Sequence, residues 1–126
     1  MFDGHAYKPY KESDKVNPAS HYGTSKRAGE TALLALAPDS IIIRTSWLYG
    51  SDRDNNFVKK ILAKANSGEP LKVVADQVGS PTFADDLAAA IAKILDTPQW
   101  FPGVYHYCNS GICSRYDFAK AILDLS

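Results

Sequence analysis

Tyr22 and Lys26 stand four residues apart in YGTSK. On a helix such a pair shares one face, about 6 Å apart along the axis. A cation beside a phenol favours the tyrosinate form, which moves tyrosine toward the behaviour of a general acid or base near neutral pH. The lysine ammonium can also donate hydrogen bonds to ribose hydroxyls. Gly23 would leave the space beside Tyr22 open. The same spacing occurs on ordinary solvated helix faces, so the motif by itself supports both readings. A second candidate is Trp47, at the end of RTSW. Its flat apolar face could stack on a sugar, or it could pack in the core or under a lid. Cys108, Cys113 and His106 make a set of only three ligands, one short of a structural zinc site. They read as ordinary residues, with no metal.

These side chains need elements to hold them. Residues 1–19 are punctuated by Gly4, Pro9 and Pro18 and read as a loop. Asn17-Pro18 then looks like the start of a helix, Asn as cap and Pro at the first helical position. That helix runs to about Leu36, with Pro38 beyond it. The β-branched run over residues 41–47 reads as a buried strand. After a loop over residues 49–52, a second helix begins near Asp54 or Asn55, with Phe57, Val58, Ile61, Leu62 and Ala65 at helical spacing, and Gly68 and Pro70 close it.

Residues 71–75 read as a short strand and DQVGSPT, 76–82, as a loop. Thr82 and Asp85 resemble a capping box opening a third helix with Leu87, Ile91, Ile94 and Leu95 on one face. Residues 104–108 form another strand, and Ser114 with Asp117 caps a last helix. Helices alternating with strands imply an α/β fold with partly parallel strands. In an open sheet of that kind ligands sit beyond the carboxyl ends of the strands, where Trp47 lies.

Composition narrows the classes further. The 126 residues suit one domain, and 45% of them are apolar. Fourteen bases balance fourteen acids, which gives no support to a nucleic-acid partner. No segment has the roughly 18 consecutive apolar residues of a membrane helix, and the first residues do not read as a signal peptide. The expectation is a cytoplasmic protein with no membrane partner.

The whole pattern resembles the extended short-chain dehydrogenase/reductase family, and within it the dTDP-4-dehydrorhamnose reductases. NPASHYGTSKRAGE is similar to the catalytic helix of the superfamily. IIIRTSWLYG, NNFVKKIL, DQVGSPTFADDLA and GVYHYCNSG are similar to these reductases in particular, and the likeness runs through essentially all of the chain in order. It implies the C-terminal half of a Rossmann-like α/β fold, present as a single partial domain over residues 1–126. It also implies reduction of the 4-keto group of dTDP-4-dehydro-L-rhamnose by NADPH or NADH. Tyr22 would give the proton and Lys26 would hold the nicotinamide ribose. Thr45 and Ser46 would lie near the nicotinamide, and Trp47 would contact the hexose. Asn55, Asn56 and Gln77 would lie on the nucleotide-sugar side, although Asn55 and Asn56 also read as helix caps and Gln77 as a solvated loop residue.

The departures are equally specific. The sequence has no glycine-rich turn of the kind that seats a dinucleotide pyrophosphate on a helix N-terminus. The family's third catalytic residue, a Ser or Thr, would stand just before the segment matching MFDG. The expectation is therefore a fragment, inactive in isolation, cut from the substrate side of a reductase that carries NADPH or NADH when whole. The alternative is a non-catalytic regulatory protein on the same fold, like the regulatory subunit of methionine adenosyltransferase. A partial sheet would also expose apolar surface and favour a homo-oligomer.

Overall fold

A computed structural model describes residues 1–51 and 55–126. The loop end at Asp52 and the helix start considered at Asp54 lie outside the described residues. The order is α1 (His21–Leu36), β1 (Ile41–Arg44), β2 (Leu48–Tyr49), α2 (Phe57–Asn66), β3 (Val78–Gly79), β4 (Thr82–Phe83), α3 (Ala84–Asp96), β5 (Gly103–His106), β6 (Cys113–Ser114) and α4 (Arg115–Asp124). The chain divides into two compact units, Met1–Arg44 with Gln99–His106 and Thr45–Pro98 with Tyr107–Ser126.

In the first unit β1 pairs parallel with β5, from Ile41 opposite Gly103 to Arg44 opposite His106. Helix α1 starts later than Asn17-Pro18 suggests. Ser20 is the cap: its backbone is extended, and its Oγ accepts from the Gly23 amide at 3.1 Å. The Asn17 side chain is engaged elsewhere, donating to Asp3 Oδ2 at 3.1 Å. At the other end the Ala37 amide bonds to Leu33 O at 2.7 Å, and Pro38 follows.

The expected strand over 41–47 ends at Arg44. Trp47 takes φ +45°, a left-handed conformation that breaks the pleat. The chain re-forms as β2, parallel to β4 in the second unit. The loop expected over 76–82 contains two short strands, β3 antiparallel to β6 and the start of β4. Residues 71–75 join no ladder among the described residues. Leu71 and Val73 instead line a groove of about 360 Å³ with Tyr116, Ala119 and Leu123 of α4.

The caps show how local signals and tertiary contacts divide the work. Ser114 and Asp117 form the expected capping box on α4: the Asp117 amide donates to Ser114 Oγ at 3.0 Å, and the Ser114 amide to Asp117 Oδ2 at 3.2 Å. Asn56 caps α2, one residue past the expected start. On α3 the Thr82–Asp85 reading fails. The cap residue is Phe83, which has no side-chain oxygen. Asn109, distant in sequence, substitutes for it by accepting from the Phe83 amide at 3.0 Å and donating to the Asp86 carboxylate. Thr82 is fully buried, and its hydroxyl has no partner among the described residues.

Burial is thin. Ile61 and Ala119 are the buried apolar residues among those described. Helix α1 buries only Gly23 and Glu30, and α3 buries none of its side chains. The predicted apolar stripe of α3 exists, but Ile91 and Leu95 remain exposed, as do Leu33 and Leu36 of α1.

Candidate functional site

In the first unit α1 presents Tyr22 and Lys26 together. Tyr22 is 73% exposed, and Lys26 Nζ lies 5.4 Å from its ring centroid. Neither ion pair formed by Glu30 involves Lys26, so its ammonium has no carboxylate partner among the described residues. Gly23 does not leave an opening beside Tyr22. A Cβ there would meet Pro18 Cβ at 2.9 Å and Ser20 Oγ at 3.3 Å, so the glycine permits the close approach of the preceding turn.

Behind this helix lies a polar network that the sequence did not announce. Arg44 donates to both oxygens of Glu30, through Nε at 2.8 Å and Nη2 at 2.9 Å. The side chains are 11% and 8% exposed. Hydrogen bonding from Arg44 is the main reason the Glu30 carboxyl sits below its ordinary pKa. Arg44 Nη1 also lies 3.3 Å from His106 Nε2, while His106 Nδ1 lies 3.2 Å from Tyr10 O. Because guanidinium can only donate, Nε2 is the acceptor and Nδ1 carries the proton. The His106 amide donates to Glu12 at 2.8 Å and lowers that carboxyl's pKa. Phe2 stacks on Tyr10, centroids 4.2 Å apart, and Arg44 lies over Phe2 at 5.6 Å. The N-terminal loop is thereby tied to the carboxyl ends of β1 and β5.

In the second unit Trp47 joins an aromatic cluster centred on Phe118, which also meets Tyr49 and Phe57. Phe118 stacks toward Trp47 with centroids 6.5 Å apart, and Phe57 stacks on Phe118 at 5.5 Å. The Arg115 guanidinium lies 3.8 Å over the Trp47 ring and 5.1 Å over Phe57. Burial pulls the Arg115 pKa below its ordinary value. Gly79, in the DQVGSPT segment, lies under the indole: a Cβ there would come within 2.7 Å of Cε2. Ser46 Oγ donates to Ser80 O at 2.6 Å, and the Thr82 amide donates to Trp47 O at 3.2 Å. Ser46, Trp47 and this loop are therefore brought together.

The other predicted positions are less concentrated. Thr45, Asn55 and Gln77 are exposed, and the Gln77 carbonyl accepts from the Arg115 amide at 3.0 Å. Asn56 is built into the scaffold: its Oδ1 accepts from the Lys59 amide at 3.0 Å, and its Nδ2 donates to Gly50 O at 2.8 Å. Cys108 is exposed and Cys113 half-buried, both as free thiols. Burial, helped by Asp117, raises the Cys113 pKa. Arg115, Glu30 and Arg44 were missed by sequence reasoning, and His106 was weighed only beside the two cysteines, not as a partner of Arg44. No local pattern marks them, because each acts through a residue distant in the chain or across a helix start.

Comparison with known proteins gives this arrangement a family. The family model described as the RmlD substrate binding domain matches residues 1–126. The chain belongs to this family, with an α/β fold that is part of the Rossmann-like architecture of the extended short-chain dehydrogenases/reductases. It is 48% identical to the spore coat polysaccharide biosynthesis protein SpsK of Bacillus subtilis (strain 168), over 100% of this chain and 43% of that one. The crystal structure of a dTDP-4-dehydrorhamnose reductase from Clostridium acetobutylicum matches with TM-score 0.91 at 47% identity, covering 98% of this chain and 43% of that one. The dTDP-4-dehydrorhamnose reductase of Bacillus anthracis, solved in complex with NADP, matches with TM-score 0.90 at 42% identity over the same shares. The chain thus spans less than half the length of these relatives.

Proposed function

We propose that the chain supplies the substrate side of a dTDP-4-dehydrorhamnose reductase, acting on the 4-keto group of dTDP-4-dehydro-L-rhamnose with NADPH or NADH. The observation that carries this is the exposed Tyr22–Lys26 pair on α1, in a chain that the family model matches from end to end. The donor set suits a nicotinamide dinucleotide in one respect: the Lys26 ammonium, which has no carboxylate partner among the described residues, can donate to ribose hydroxyls. When bound, that cofactor supplies the hydride. As the carbonyl carbon is reduced, its oxygen becomes an alkoxide, and Tyr22 is the group that protonates it. Lys26 holds its ammonium 5.4 Å from the centre of the Tyr22 ring, where its charge offsets the negative charge that develops as the proton leaves. Thr45 and Ser46 belong to the cofactor side. Trp47 contacts the hexose, and Asn55, Asn56 and Gln77 belong to the nucleotide-sugar side, Asn56 by holding the turn at Gly50. The reading includes a cytoplasmic location, which the two free thiols support.

The test is an exchange of residues 1–126 into the matching segment of the Bacillus anthracis reductase. Oxidation of NADPH that depends on dTDP-4-dehydro-L-rhamnose is the expected result. Y22F in the exchanged protein should lower kcat by about 100-fold to 10,000-fold, the usual contribution of a positioned acid. Full activity of Y22F, or an exchanged protein that folds without activity, refutes the assignment. The 126-residue chain by itself is expected to give no comparable hydride transfer.

A further inference from the structure

We propose that Arg115 is a positioning residue for Trp47, holding the indole in the orientation that meets the hexose. This rests on the reading of Trp47 given above. Trp47 has φ +45°, a conformation that a bulky residue keeps only where its surroundings over-determine it. Those surroundings are specific. The Thr82 amide holds the Trp47 carbonyl, and the Ser46–Ser80 bond fixes the residue before it. Gly79 lets the indole lie directly on the loop backbone, where any Cβ would come within 2.7 Å to 3.0 Å of three ring atoms. Phe118 stacks toward the ring from 6.5 Å, and Arg115 makes the closer ring contact. Its guanidinium lies 3.8 Å over the indole and 5.1 Å over Phe57, and it forms no ion pair among the described residues.

The charge is therefore spent on aromatic faces rather than on a carboxylate. The Arg115 amide also bonds to Gln77 O at 3.0 Å, which ties the start of α4 to the same loop. With the guanidinium over one indole face and the Gly79 backbone against the other, sugar contact falls to the edge of the ring. Arg115 thus acts on the sugar through Trp47 and does not touch the nucleotide.

The experiment uses the 126-residue chain carrying W100F, which leaves Trp47 as the single tryptophan. Acrylamide quenching of its fluorescence should rise about twofold in R115Q and lie in between for R115K, which keeps the charge without the planar stack. G79A should shift the emission with Arg115 intact. Binding of dTDP-L-rhamnose, followed by the same signal, should weaken about fivefold to tenfold in R115Q, the range of a partly desolvated cation–π contact. Binding of dTDP, followed by calorimetry, should be unchanged. Unchanged quenching in R115Q overturns the proposal, whether or not a ligand binds. Equal weakening of both ligands also overturns it, because Arg115 would then hold the nucleotide. Failure of the parent chain to bind either ligand, with the quenching result intact, refutes the functional reading and leaves the clamp standing.

Discussion

Replacing Glu30 with Gln should destabilise the protein by about 3 kcal/mol, because it leaves the Arg44 guanidinium buried without its counter-charge. The geometry fixes which interaction dominates. Arg44 meets Glu30 through two bonds of 2.8 Å and 2.9 Å, with both side chains nearly buried. Arg27 meets the same carboxylate at 3.2 Å from a side chain 44% exposed, and R27A should cost at most about 0.5 kcal/mol. Removing both charges with E30L/R44M should cost only about 1 kcal/mol, since an apolar pair replaces the ions and the main loss is the acceptor role of His106 Nε2. The Glu30 pKa is lowered in the folded chain, chiefly by Arg44. Its stabilisation is therefore complete above the ordinary value of 4.5 and is lost as pH falls through the lower folded value. Urea unfolding at pH 7 and at stepped lower pH measures this. The gap between the parent chain and E30Q should be widest at pH 7 and narrow below pH 4.5. A gap under about 1 kcal/mol at pH 7, or a double variant as unstable as E30Q, would refute the argument.

Two further predictions concern the surface. The Asp3 carboxyl, held by Tyr10 Oη first, then by Asn17 and the His5 amide, should titrate near 2 rather than 3.8. Its contribution is present above 3.8 and disappears as pH falls toward 2; carboxyl carbon shifts followed by NMR would contradict this with a midpoint at or above 3.8. The exposed Leu33, Leu36, Ile91 and Leu95 should drive self-association of the 126-residue chain, and a clean monomer at high concentration in sedimentation would count against it.

The sequence by itself determined what depends on near neighbours. Helix α4 starts where Ser114 and Asp117 say it should, because both halves of a capping box lie within one turn. The four-residue spacing placed Tyr22 and Lys26 side by side for the same reason. The strand at Ile41–Arg44 followed from its β-branched run, and the order of motifs identified the family. Long-range partners decided the rest. Asn17 could not cap α1 while its amide reached Asp3, so Ser20 did. Thr82 could not cap α3 once it was buried in β4, and Asn109 took over from 26 residues away. The run toward Trp47 looked extended, yet its end turned left-handed because Gly79 and Arg115 hold the indole on the loop. Position along the chain carries the pair that could do chemistry; only packing determines what covers each face of Trp47.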